Sequence, residues 1–328
     1  MKIINKVVLT GLILASTYGV SFAADMKKIA ISTIVEVPSL MDAKQGVLDA
    51  LAERGYVVGK NLEVEYQSAN GSMPTQQQIA RKLIGGEPDV IIPITTPTAQ
   101  SIVAATKSIP IVFTAVTDPI KAKLIKQYKQ PGANVTGVSD AAPIGAQLDF
   151  YQRIMPNLNK IGFIYNPGLD NALAALAIMK EEGKKRNISV VESAAPTTNE
   201  VILATKKLIG KVDAIYIPND TTVVAALEAI VKIGQDVDMP IFAGDTGAVK
   251  RGVLAAVGLD YNEVGRVTGA IVADVLDGKD PGTIDALVAY DAVSKFKIIV
   301  NLESAKNMDV IIPADVLKEA NTIIPVKK

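Results

Sequence analysis

From Lys28 onward, short apolar runs alternate with stretches in which apolar residues recur at helical spacing. This is the pattern of strands buried on both faces of a parallel sheet, with helices packed over them. Ile29 to Ile34 reads as a first strand, Leu40 to Arg54 as a helix ending near Gly55, and Leu62 to Tyr66 as a second strand. A loop containing Asn70, Gly71, Ser72 and Pro74 leads into a helix for which Ser72 or Thr75 is the expected cap. Asp89 to Ile94 and Ile109 to Ala115 read as the third and fourth strands, and the helix between them opens around Thr95 to Thr98.

The same order then recurs. Ile161 to Tyr165, Leu169 to Lys185, Ser189 to Ser193 and Asn199 to Ile209 repeat strand, helix, strand, helix. The run from Asp213 to Pro218 (DAIYIP) resembles that from Asp89 to Pro93 (DVIIP), and Met239-Pro240-Ile241 resembles Ile109-Pro110-Ile111. Four elements in register indicate a duplicated α/β half. The expected fold is therefore two doubly wound parallel-sheet lobes joined by a multi-crossing hinge. The expected division is residues 27–140 plus about 261–284 in lobe one and 141–258 plus about 285–328 in lobe two. Val138 to Pro143 marks the first crossing, Val253 to Tyr261 the return, and Leu287 to Asp291 a further one.

Residues 1–23 read as a cleavable export signal, with Lys2 and Lys6 ahead of an apolar run from Val7 to Val20 and Ser21-Phe22-Ala23 at the cleavage point. That run is about 14 residues, short of the about 20 that a spanning helix needs. The reading places the mature chain in the periplasm. Without Lys2 and Lys6 it carries 32 basic against 34 acidic residues, so it lacks the basic excess that tracks nucleic acid. The chain has no Cys, His or Trp. Disulfides, thiolate metal sites, His-dependent nucleophiles and stacked indole platforms for sugars are thereby removed. No cofactor or metal is called for, and a monomer is expected.

In open parallel sheets, ligands bind beyond the carboxyl ends of the strands, where helix N-termini point outward. On that rule Thr95, Thr96 and Thr98 are candidates to hold an anionic group in the first lobe. Asn219, Asp220 and Asp245 in the second, with Asp140 at the hinge, are candidates to receive a cation. An α-amino acid or similar zwitterion fits this polarity. Tyr165 and Phe113 are candidates to lie against an apolar or aromatic ligand side chain. Asp245-Thr246-Gly247 matches the aspartic-protease triplet, but that chemistry needs a second copy across a dyad and a different fold. No phosphate-binding glycine motif accompanies the strands. A non-enzymatic binding protein follows, either feeding a transporter or sensing a ligand for a membrane receptor.

The runs Val112 to Pro119 (VFTAVTDP), Pro131 to Asp140 (PGANVTGVSD) and Val212 to Pro218 (VDAIYIP), with Leu259-Asp260-Tyr261 and Gly265-Arg266, resemble the ABC-transporter substrate-binding proteins of the tryptophan/tyrosine type. The resemblance runs from about Ile29 to Pro313. It implies a type I periplasmic-binding-protein fold, an aromatic amino acid as ligand and a membrane permease as partner. It also implies that Thr95-Thr96-Pro97 holds the ligand carboxylate while Asn219-Asp220 and Asp245 face its amine. The sequence departs from the pattern at Val37-Pro38, where relatives carry His-Pro. Tryptophan, tyrosine, phenylalanine, another small acid or a nucleoside therefore stay open as ligands.

Overall fold

In the computed structural model, which describes residues 26–292 and 296–327, the apolar runs form two sheets. The expected signal segment lies outside the described residues. The first half supplies β1 (Lys27–Thr33), β2 (Leu62–Ser68), β3 (Val90–Ile94), β4 (Ile111–Val116) and β5 (Val135–Ser139). The second supplies β6 (Lys160–Tyr165), β7 (Ser189–Ala194), β8 (Ala214–Ile217), β9 (Ile241–Ala243) and β10 (Ala255–Gly258). These order themselves as β2-β1-β3-β4-β5 and β7-β6-β8-β9-β10, so the sequence repeat is a repeat of topology.

The repeated residues do the same work in both halves. Asp89, just before β3, accepts a 2.7 Å hydrogen bond from the Lys28 backbone N–H at the start of β1. Asp213, just before β8, accepts bonds of 2.8 and 2.7 Å from Asn159 and Lys160 at the start of β6. The two prolines match as well: Pro110 accepts from the Ile91 N–H and Pro240 from the Ile215 N–H, each at 2.9 Å. Clamping neighbouring strands at their amino ends leaves the carboxyl ends to diverge into loops.

Three short strands complete the sheets: β11 (Leu287–Val288), β12 (Lys297–Asn301) and β13 (Thr322–Ile324). β11 pairs with β5, so the chain is still part of the first sheet at Val288. β12 runs antiparallel to β10 at one side of an otherwise parallel sheet. Along β1 and β3 the side chains alternate between two buried layers, Ile29, Ile31, Val90 and Ile92 on one and Ala30 and Ile91 on the other, which is why these runs lack a polar face.

After β10 the chain returns to the first lobe as the helix Tyr261–Leu276, which packs along the helix Pro38–Glu53. The contact is backbone-close. A Cβ on Gly265 would lie 2.0 Å from the Ala43 carbonyl oxygen, and one on Gly46 would lie 2.0 Å from that of Asn262. Only hydrogen at these positions permits the approach, which accounts for the Gly265-Arg266 motif. Arg266 then reaches Glu53 at 2.6 Å across the same pair of helices.

Candidate functional site

The carboxyl ends of the two sheets face each other across a cleft. Its wall draws on strand ends of both sheets: Val35 and Val37 after β1, Thr95 and Thr96 after β3, Ala115 and Thr117 around the end of β4, and Asp140 after β5. From the second half come Asn219 and Thr221 after β8, Asp245 after β9 and Tyr261 after β10. Ser39, Leu40, Asn171 and Val224 complete it.

On the first lobe the chain is bent sharply to reach the cleft. Thr95 sits at φ +85°, unusual for a β-branched residue, just before the helix Thr96–Ala105. Its N–H is held by the Thr114 carbonyl at 3.0 Å and its hydroxyl by that of Thr98 at 3.1 Å. Thr98 is itself fully buried and absent from the cleft wall, so its place is behind Thr95, fixing that hydroxyl. Ala115, at φ +54°, marks an irregularity in the pairing of β4 with β5 and turns the chain so that Ala115 and Thr117 face the cleft. Thr96 and Thr98 open a helix of ten residues, whose first-turn N–H groups favour an anion.

The opposite wall is acidic and tied to the hinge. Asp140 Oδ2 accepts from the Tyr261 hydroxyl at 2.7 Å and from Asn219 Nδ2 at 3.2 Å, while Oδ1 accepts from the Thr117 hydroxyl at 3.2 Å. Burial raises the Asp140 carboxyl above the ordinary carboxylate range, against these hydrogen bonds, which favour the anion. Asp245 accepts from the Gly247 N–H at 2.8 Å, capping the turn Thr246–Arg251. Burial raises it too, opposed by the Ser39 hydroxyl, and the nearby Asp140 charge adds to the rise. Among the lining residues there are two carboxylates and no Lys or Arg.

The lobes touch across the cleft. Gln100 Nε2, in the first lobe, donates to Asp170 Oδ2, in the second, at 2.8 Å. Asn219, on the second lobe, reaches the hinge through Asp140 and through the Tyr261 hydroxyl, to which its Nδ2 donates at 2.8 Å. Lys297 pairs with Asp260, stapling the second hinge passage to the end of the third.

Besides Thr98, behind Thr95, three more residues expected at the ligand are placed elsewhere. Asp220 is fully buried behind the wall: its Oδ1 accepts from the Thr222 and Val223 N–H groups and its Oδ2 from the Asn166 N–H at 2.6 Å. It caps the turn after β8 and ties it to the loop after β6. Both oxygens are spent on backbone. Phe113 lies with Ile111 in the core on the far face of the first sheet, and the irregularity at Ala115 is what puts Ala115, two residues on, in the opposite layer. Tyr165 packs against Phe163 and directs its hydroxyl to Glu192 at 3.3 Å, at the edge of the second sheet beside β7. The cleft does bring together Thr95, Thr96, Asp140, Asn219 and Asp245.

Asn171 was not among the expected residues. It lies in the first turn of the helix Asp170–Lys185, a polar residue just after the β6 loop, and that position was the available signal. Val35, Leu40 and Val224 gave none, since an apolar wall and an apolar core are spelled alike. Tyr261 was legible only as the start of a returning helix.

The family model for ABC transporter substrate binding proteins matches residues 28–324. The chain belongs to that family. It is 38% identical over 283 residues to a tyrosine-binding protein of Clostridioides difficile (strain R20291), covering 86% of this chain and 81% of that one. It superposes with a TM-score of 0.86 on an ABC domain in complex with L-Trp from Streptococcus pneumonia, at 33% identity over 91% of this chain and 99% of that one. A ligand-free, open substrate binding protein from Clostridium difficile, also 33% identical and covering 92% of this chain and 100% of that one, gives a TM-score of 0.70. The chain is a substrate-binding protein with the type I periplasmic-binding fold. At equal identity it matches the ligand-bound relative better than the open one, in keeping with the bonds between its lobes. No helix among the described residues is long and apolar enough to cross a membrane.

Proposed function

We propose that this substrate-binding protein captures an amino acid with an aromatic or comparably apolar side chain by closing its lobes, and delivers it to the membrane permease of an ABC importer. The carrying observation is the polarity of the cleft. One wall presents threonine hydroxyls and a helix N-terminus suited to a carboxylate; the other presents Asp140 and Asp245, suited to an ammonium. Between them Val35, Val37, Leu40, Ala115 and Val224 form an apolar wall for a side chain. The relatives' tyrosine and L-Trp support the aromatic class.

The mechanism is differential affinity. Ligand held by one lobe gains contacts from the other only when the cleft is shut, so binding shifts the population toward the closed form. The protein does no chemistry on its cargo. Export by the N-terminal segment puts it in the periplasm, where the mature chain acts as a monomer. The test is a calorimetric or thermal-shift panel of aromatic and aliphatic amino acids, aromatic acids, nucleosides and sugars on refolded, ligand-free protein. Stabilisation confined to aromatic amino acids is the expected result. Stabilisation by a nucleoside or sugar alone would overturn the reading.

A further inference from the structure

Asn171 stands in an uncommon position. Its Nδ2 donates to the Asn219 carbonyl at 2.8 Å, and a carbonyl can only accept, so the orientation of the amide is settled by its partner. That leaves Oδ1 on the other side. The residue is 5% exposed, it lines the cleft, and Oδ1 has no hydrogen-bond partner among the described residues. Buried acceptors in native proteins are rarely left so.

We infer that Asn171 Oδ1 accepts a hydrogen bond from the ligand's ammonium group, and that the amine, not the carboxylate, is the dominant handle by which this cleft recognises its cargo. The inference rests on the amino acid reading above. An ammonium offers three donors and no acceptor, and the cleft supplies acceptors from three directions: Asn171 from the second lobe, Asp245 from the loop after β9 and Asp140 from the hinge. The carboxylate meets a weaker partner set. No Lys or Arg lines the cleft, the Thr95 hydroxyl is already shared with Thr98 and that of Thr117 is given to Asp140, so the anion depends on Thr96 and first-turn N–H groups. Asn171 also follows Asp170, which bridges the lobes through Gln100. Engagement of the amine thus falls beside a contact made only when the cleft is shut.

The test is titration calorimetry on the whole chain with L-tyrosine, tyramine, which lacks the carboxylate, and 3-(4-hydroxyphenyl)propionate, which lacks the amine. Tyramine is expected to bind within about tenfold of tyrosine, and the propionate at least about a hundredfold more weakly. Asn171→Leu removes the acceptor and should shrink the gap between tyrosine and the propionate by about tenfold. Asn171→Asp keeps an acceptor while losing the bond to the Asn219 carbonyl, and should preserve the gap. If both variants weaken all three probes equally, Asn171 only holds the neighbouring loop and the assignment falls while the amino acid reading stands. Equal binding of propionate and tyrosine by the unaltered protein would likewise overturn it. Binding of tyramine without tyrosine would remove the amino acid reading and leave the amine assignment in place. Failure of all three to bind would overturn both.

Discussion

The Tyr261 hydroxyl donates a 2.7 Å hydrogen bond to Asp140 Oδ2, joining two residues 121 positions apart that stand on two different passages of the hinge. Asn219 Nδ2 donates to both members of the pair, so a residue of the second lobe is tied to the pivot itself. The buried charge of Asp140 is therefore held by groups that arrive from three parts of the chain. Its environment depends on the lobes being together.

Replacing Tyr261 by Phe removes one donor from a buried carboxylate while keeping the ring's packing. Hydrogen bonds to charged groups contribute about 1.5–3 kcal/mol. Ligand affinity of Tyr261→Phe should fall by about tenfold or more, with the denaturation midpoint lowered modestly. Calorimetric affinity equal to that of the unaltered protein would show that the bond is not coupled to capture.

Ligand affinity should rise with pH across the acid range. Asp140 and Asp245 both have their carboxyls raised by burial, so in the closed cleft each keeps its proton to a higher pH than an exposed Asp at about 3.9. An ammonium favours the ionised forms, so binding expels protons and tightens as pH climbs through the raised values. Titrations in buffers of different ionisation enthalpy should register proton release on binding in the acid range. Affinity that is flat from about pH 4 to about pH 7 contradicts this account. The ligand-free protein should show the opposite trend in stability. Folded-state values raised above the unfolded ones, including Asp220 pushed up to about 6, contribute stability below about pH 4 that is lost as pH rises through the folded values.

Asp220→Ala should damage the fold first. Three backbone N–H groups lose their acceptor, at a cost of about 1–3 kcal/mol, and the loops after β6 and β8 are released from each other. Thermal denaturation should move down clearly, and affinity measured well below that transition should change less than in Tyr261→Phe. A variant of unchanged melting temperature that no longer binds ligand would return Asp220 to the ligand shell.

Gly265→Ala should separate two helices that touch at backbone distance. With a Cβ 2.0 Å from the Ala43 carbonyl oxygen, the helix Tyr261–Leu276 has to back away, and overpacking of this kind costs about 1–3 kcal/mol. Because Tyr261 begins the same helix, the shift reaches the cleft. Chemical denaturation should show a lower midpoint at similar slope, together with weaker binding. Neither effect appearing would mean that the helices tolerate a wider spacing.

Much of the architecture was legible because its signals are local and occur twice. Asp89 and Asp213 clamp neighbouring strand starts, Pro110 and Pro240 accept equivalent bonds, and those contacts need only adjacent strands to form. The pairing of Leu287–Val288 with β5 was less legible, since a two-residue strand has too little pattern to announce its sheet.

The site separates along the same line. By itself the sequence determined that polar residues follow the strands, that Thr95, Thr96, Asp140, Asn219 and Asp245 stand at ends which parallel topology gathers, and that no His or Cys chemistry is on offer. Only the tertiary structure decided which side chains turn inward. Asp220 is turned from the cleft by the Asn166 N–H, 54 positions away, and Asn171 is turned toward it by the Asn219 carbonyl, 48 positions away. Phe113 is lost to the core by the parity of its strand, and Tyr165 lies beside an edge strand. A capping carboxylate and a ligand-binding one are the same residue in the same kind of loop; what distinguishes them is which backbone N–H groups arrive from elsewhere to claim their oxygens.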